Sequence, residues 1–400
     1  MFIQNDGVDK MLAIVLSGGG AKGAYQQGVW KALRELNIKY DIVTGTSIGA
    51  LNGLMMAQKE YYKCLKMWKN ISFEKIYDDF EKTNNMKDMY KAYLDKIVNG
   101  GIDTSKIENL ISLHYKPKKL YNSKVSFGIV AYNVSSKDAV YATTRNTRPD
   151  KLKQYILASI TCFPVFKPTK IDTEILIDGG YYDNLPINLA IDLGATDIIA
   201  VDLRALGIKQ KIKDKNINIR YIAPINKLDS FLNFDSNAAK RMIKLGYNDT
   251  MKSFGKCEGK YYTFKKNTIE NLCKNYKKRI INISKKLDIS SNNIKKLSSN
   301  LKEQEVMTNI IEDALEIFNI SFYEIYGFKD INKKLFNELL NIESIGKELS
   351  LEQIKKILDR RVIVKYIYEK LEKCDKIDYI IFNVFSKEFT TAVYLLATRS

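Results

Sequence analysis

Short apolar runs of strand length alternate with apolar positions at helical spacing through the first half of the chain. Residues 11–16 (MLAIVL) form a compact apolar run that ends in SGGG, a strand entering a glycine turn. Beyond it, AYQQGVWKALRELN sets Val29, Leu33 and Leu36 four and three residues apart, the spacing of one helix face. The stretch YDIVTGTSIGALNGLMMAQ repeats the unit as a short strand, a tight turn and a second helix. Strands separated by helices through such short connections predict an α/β fold. Its central sheet is mostly parallel, with helices on both faces.

Residues 54–115 read as helical and aromatic-rich, ending in GIDTSKIENLISLHY, where Thr104 or Ser105 is the expected helix N-cap. KVSFGIVAYNV and KDAVYATTR are adjacent strands joined by a polar SSKD turn. The helix KLKQYILAS leads into the two-proline loop ITCFPVFKP. The strand EILIDGG, the helix-bearing stretch YYDNLPINLAIDLG and the buried strand DIIAVDL follow. The strand-like NIRYIAPI and the helix NAAKRMIKLGYNDTM close the unit. The expected organisation is one domain over 11–264, with its core at 11–205, and a mainly α-helical C-terminal region over 265–400. That region is rich in Lys and Asn, and Ser350 to Gln353 forms a capping box in it. No motif there names a role.

Three motifs stand where chemistry is usually placed. Gly45-Thr46-Ser47-Ile48-Gly49 sits between the strand residues Ile42-Val43 and the helical run from Ala50. Small residues beside Ser47 let the backbone turn sharply and project its hydroxyl at a helix N-terminus, as a nucleophile elbow requires. An ordinary helix N-cap uses the same residue type. Gly18-Gly19-Gly20-Ala21-Lys22-Gly23 follows the first strand and formally matches a dinucleotide fingerprint. That fingerprint wants an acid at the end of the second strand, whereas Asp41 precedes this strand. Glycines without Cβ atoms also leave backbone N–H groups free to converge on an oxyanion, and this reading suits the position better. Lys22 adds charge there or is simply solvated. Asp178-Gly179-Gly180 ends the strand EILI, either as a functional carboxylate or as turn chemistry.

The histidine count decides among serine mechanisms. The chain has one histidine, His114, at the end of an amphipathic helix and ahead of Asp178 in sequence. A Ser–His–Asp triad in the α/β-hydrolase order needs a histidine after the acid, and none follows. A serine mechanism here therefore needs another base, and an aspartate is the available one.

GGGAKG, GTSIG and DGG in this order resemble the patatin-like phospholipase family. ASITCFPVFKP, DGGYYDNLP and the later FDSNAAKRMIKLGYNDT are similar to further stretches of its members, so the resemblance covers roughly residues 11–255. It implies a Ser–Asp dyad with Ser47 as nucleophile and Asp178 as base. It also implies an oxyanion hole from Gly18, Gly19 and Gly20, with Gly23, Gly45, Gly49, Gly179 and Gly180 as motif glycines. Many members have Asp where this chain has Ser17. The implied activity is hydrolysis of acyl ester bonds of a phospholipid or other acyl lipid. The rivals are an acyltransferase or thioesterase using the same serine, and a lipid-binding effector with weak or no catalysis.

Charge and cysteine usage refine the expected setting. The net charge of +18 suits an anionic membrane surface, so peripheral membrane contact is expected. The lysines are scattered among acids, with no zinc-finger spacing or RNA-binding signature, and no nucleic acid is expected. The five cysteines are odd in number and far apart, which points to a reducing cytoplasm and no disulfide framework. The N-terminus lacks the basic region of a signal peptide, and the apolar segment 377–400 is broken by Lys387 and Glu388. Scattered acids form no calcium-loop pattern, so no cofactor or metal is expected. The oligomeric state is not legible.

Overall fold

The computed structural model describes residues 10–77, 98, 100–286, 303–373 and 383–399. The chain divides into two compact units, with the division between Thr250 and Met251.

The first unit is built on an eight-stranded sheet. Its strands are β1 (Leu12–Leu16), β2 (Ile42–Thr46), β3 (Ser126–Asn133), β4 (Asp138–Thr143), β5 (Thr169–Ile171), β6 (Glu174–Asp178), β7 (Asp197–Val201) and β8 (Asn218–Ile222). The order is β5-β6-β3-β2-β1-β7-β8, with β4 paired to β3. Strands β1, β2, β3, β7 and β8 run parallel to one another. A parallel strand covered on both faces reads as an unbroken apolar run, and β1 does so. Ala13 and Val15 pack with Leu185, Ile187 and Ala190 on one face. On the other, Leu16, Val43 and Phe127 lie against Gly53 of helix α2 (Ile48–Ala57). Every residue of α2 is buried, as its nearly continuous apolar sequence demands.

The expected α/β architecture is present, with one departure at the functional end. β6 runs antiparallel to β3, where EILIDGG read as one more strand of a mostly parallel sheet. Residues 128–130 of β3 pair with both β2 and β4, and residues 131–133 pair with β4 and β6. A strand has two edges, so β2 and β6 share one edge of β3 and meet there with their C-terminal ends facing.

Helix α1 (Ala24–Glu35) crosses helix Ser236–Ser253 at backbone contact. A Cβ on Gly28 would lie 1.9 Å from the Ile243 carbonyl oxygen, and one on Gly246 would lie 2.0 Å from that of Tyr25. The Tyr25 hydroxyl donates to Asp249 at 2.8 Å beside this crossing. Thr104 occupies the N-cap of helix Ser105–His114, but its side chain caps nothing. Asp103 Oδ1 accepts the Ser105 N–H at 2.8 Å instead.

The second unit is mainly helical, with helices Thr268–Lys286, Glu303–Ile317, Phe328–Leu340, Leu351–Lys355, Arg360–Glu372 and Ser386–Thr398. The Ser350–Gln353 capping box is formed in both directions. A small sheet joins β9 (Cys257–Glu258), β10 (Thr263–Lys265) and β11 (Ile325–Tyr326). The buried Glu312 carboxylate holds this sheet by accepting the N–H groups of Lys260 and Tyr262 at 2.7 and 3.1 Å. The expected boundary at 264/265 falls within β10, which pairs with β9 on one side and β11 on the other. The apolar C-terminal segment supplies Phe389, Val393, Tyr394 and Leu395 to the unit's own core. No described helix is long and apolar enough to cross a membrane.

Candidate active site

Ser47 sits at the turn from β2 into α2 with φ 56° and ψ −128°. A non-glycine residue held there costs roughly 1–3 kcal/mol, which the surroundings must offset. The turn is closed by glycines on both sides. A Cβ on Gly45 would lie 2.2 Å from the Gly49 carbonyl oxygen, and one on Gly49 would lie 2.4 Å from that of Leu16. The Ser47 N–H donates to the buried Ser159 Oγ at 3.0 Å, which pins the turn from helix Pro149–Ile160. Although Ser47 occupies the N-cap position of α2, its side chain caps no backbone N–H. Its hydroxyl is left for other work.

That hydroxyl lies near Asp178, at the end of β6, and acts to lower the pKa of its carboxyl. The shared edge of β3 brings the two together. Thr46 pairs with Val130 and Asp178 with Ala131, so consecutive rungs of one strand carry the elbow and the acid. Gly179 must be glycine for this approach, since a Cβ would lie 2.1 Å from the Val130 carbonyl oxygen. Ser47 is 7% and Asp178 5% exposed. Burial pushes the Asp178 carboxyl up to about 6, against the lowering effects of the nearby Ser47 side chain and of the Gly180 N–H, which donates to it at 2.7 Å. A carboxylate so raised is a better base than one in water.

The glycine turn lies against the elbow: a Cβ on Gly18 would fall 3.0 Å from Ser47 Cβ. Of the three amides expected to converge on an oxyanion, that of Gly18 donates to the Asn184 carbonyl at 3.1 Å and is committed to the fold. Among the described residues the Gly19 and Gly20 amides have no acceptor. Gly20 has φ 55°, and a Cβ there would lie 2.3 Å from the Phe231 carbonyl oxygen. A buried polar chain holds the turn from behind. Gln26 Nε2 donates to the Ser17 carbonyl at 2.7 Å, and Asn52 Nδ2 donates to Gln26 Oε1 and to the Gly23 carbonyl. Trp68 Nε1 completes the chain by donating to Asn52 Oδ1 at 2.9 Å. Asp41 accepts the Leu12 N–H at 3.0 Å, so it closes the start of β1 and does not reach the glycines.

Ser47, Asp178, Gly19 and Gly20 open onto a cavity of about 600 Å³. Its walls are mostly apolar, with Ile48, Leu51, Tyr77, Ile107, Val165 and Phe166 among them. Tyr77 and Ile107 come from the aromatic-rich stretch 54–115, whose residues 78–97 and 99 lie outside the described residues. Lys22 and Arg204 are its cationic lining. His114 is not part of the lining. It is buried near Lys116 and Lys63, which with burial hold its pKa below the usual imidazole value.

Ser159 and Asn184 were not singled out from sequence, although both fall within stretches that carry the resemblance. Asn184 is buried between the glycine turn and the Asp178 loop. Its Oδ1 lies where a Cβ on Gly18 or Gly180 would fall, at 2.3 and 3.0 Å. Ser17 accepts the Leu203 N–H on its Oγ at 2.9 Å.

Residues 14–191 match the family model described as Patatin-like phospholipase. The chain is 28% identical over 204 residues to patatin-like phospholipase domain-containing protein 7 of Rattus norvegicus. That alignment covers 48% of this chain and 13% of the relative. It is 29% identical over 200 residues to lysophospholipase nte1 of Aspergillus terreus, covering 49% of this chain and 12% of that protein. The chain thus spans about an eighth of the length of these relatives. Among solved structures, VipD from Legionella pneumophila aligns at 15% identity and a TM-score of 0.39, over 98% of this chain and 90% of that one.

Proposed function

Because residues 14–191 belong to the patatin-like phospholipase family, we propose that this chain is a serine lipid acyl hydrolase working through a Ser47–Asp178 dyad. One observation carries the reading. The Ser47 hydroxyl is held in a strained elbow, caps nothing, and faces a single buried carboxyl whose pKa is raised to about 6.

In the proposed reaction the ionised Asp178 takes the proton of Ser47 Oγ as the oxygen attacks the acyl carbonyl carbon. The carbonyl π bond opens and the negative charge gathers on its oxygen, facing the Gly19 and Gly20 amides and the positive end of α2. Collapse of this intermediate breaks the ester C–O bond, and the Asp178 proton goes to the departing alcohol. Water, deprotonated by the same carboxylate, then frees the acid and restores Ser47. The apolar cavity walls receive the acyl chain, and exclusion of water there strengthens the hydrogen bonds at the reacting atoms. The substrate is a phospholipid or lysophospholipid, in keeping with the names of the relatives.

A fluorophosphonate probe tests the nucleophile, and mass spectrometry of lipid vesicles tests the products. The expected result is a label on Ser47 and release of free fatty acid, both lost in Ser47→Ala. A wild-type protein that takes no label would end this reading.

A further inference from the structure

Ester hydrolysis does not require apolar groups in water, yet the rim of this cavity presents several. Leu206 is 96% exposed and Ile208 56%, and the lining residues Tyr181 and Phe231 are exposed as well. Single exposed apolar side chains are ordinary, whereas several at one opening form a patch with a purpose.

Leu206 and Ile208 belong to the segment Leu203–Lys213 (LRALGIKQKIK), which has four cations and no acid. Lys209 pairs with Asp202 at 2.5 Å and Lys213 pairs with Asp192. Among the described residues no acid pairs with Arg204, Lys211 or the nearby Lys22. The backbone of this segment is tied down on both sides. The Leu203 N–H donates to Ser17 Oγ at 2.9 Å, the Ile208 N–H to the Gly180 carbonyl at 2.9 Å, and the Asn184 N–H to the Ile208 carbonyl at 2.6 Å. Anchored between the glycine turn and the Asp178 loop, Leu206 is held out in water, unable to fold back onto apolar surface. A pre-set apolar tip flanked by unpaired cations is complementary to a surface that is anionic outside and hydrocarbon beneath.

We propose that the segment Leu203–Lys213 seats the cavity mouth on an anionic phospholipid bilayer. Leu206 and Ile208 enter the acyl region, while Arg204, Lys211 and Lys22 meet lipid phosphates. The proposal rests on the acyl hydrolase reading only for the outcome of docking, which is delivery of a bilayer lipid to Ser47.

The full chain carrying Ser47→Ala, which leaves vesicles intact, tests it by sedimentation with phosphatidylcholine vesicles with and without phosphatidylglycerol. Binding is expected only when phosphatidylglycerol is present. Leu206→Asp with Ile208→Asp should weaken it by about tenfold or more, the loss from keeping two apolar side chains in water. In a Leu206→Trp protein the new indole should shift its emission to the blue on those vesicles, since Trp30 and Trp68 are already buried. Binding unchanged by the double aspartate variant, equal binding to uncharged vesicles, or an unshifted indole would each overturn the proposal. A dimer in light scattering that the same variant dissolves would also overturn it, by assigning the patch to a second copy of the chain. Absence of fluorophosphonate labelling in the wild-type protein alongside intact vesicle binding would remove the hydrolase reading and leave the docking in place.

Discussion

Asp178 takes the rung of β3 immediately after the one held by Thr46. The acid arrives on an antiparallel strand and the elbow on a parallel one, so the two chain ends meet head to head at one edge. No helix or flexible loop intervenes in the spacing between Ser47 and Asp178, which is set by main-chain hydrogen bonds. That is a rigid mounting for a two-residue site.

Asp178→Asn separates stability from activity. The folded-state pKa, about 6, lies above the unfolded value of 3.8, so the native state binds the proton more tightly. The contribution to stability is full below about pH 4 and is lost as pH rises through 6, a cost of about 3 kcal/mol at pH 7 and above. A neutral, nearly isosteric amide escapes that cost. Asp178→Asn should melt no lower than wild type at pH 7.5 while losing esterase turnover by at least about a thousandfold. Thermal melts beside turnover of a soluble ester check both halves. Retained activity would sink the assignment of the base.

The pH profile follows from the same carboxyl. Asp178 acts ionised, so kcat/KM should rise through about pH 6 and level off above it, with no descending limb from an imidazole. Initial rates on a soluble ester from pH 4.5 to 8 measure this. A flat profile across that range contradicts the mechanism.

Gly20→Ala tests the oxyanion turn. The positive φ and the Phe231 carbonyl 2.3 Å from the added Cβ leave alanine no place without moving the backbone. Turnover should fall by about a hundred- to a thousandfold, the usual loss when one such donor is displaced. Fluorophosphonate labelling should slow in parallel. Normal turnover in this variant would place the oxyanion elsewhere.

Ser159→Ala removes the acceptor of the Ser47 N–H and leaves that buried donor unpaired. Urea unfolding should show a loss of roughly 1–3 kcal/mol, and kcat should drop on the order of ten- to a hundredfold as the elbow loses its geometry. An unchanged kcat would mean that the glycine contacts alone hold Ser47.

Much of this site was legible in sequence because its parts are local. An apolar run ending in small residues, followed by helical spacing, places GGGAKG and GTSIG at adjacent strand ends, and β1 and β2 are indeed paired. The direction of β6 was not legible, since a three-residue apolar run looks the same whether its neighbour runs with it or against it. Ser159 was passed over because its partner lies 112 residues away and leaves no trace in the local pattern. Leu203–Lys213 has no periodicity at all, and its contacts with Ser17, Gly180 and Asn184 are hydrogen bonds to residues distant in sequence. The boundary inside β10 was hidden for a similar reason, as β9, β10 and β11 are too short to announce their pairing.

The neighbours of β1 bear on how the protein can be cut. β1 lies between β2 and β7, and β7 begins at Asp197, past the last residue of the family match. A fragment trimmed to 14–191 would bare one side of β1, and its main-chain groups would then pair with whatever chain they met. Expression of the first unit alone should therefore run through helix Ser236–Ser253, and shorter pieces should collect as aggregates.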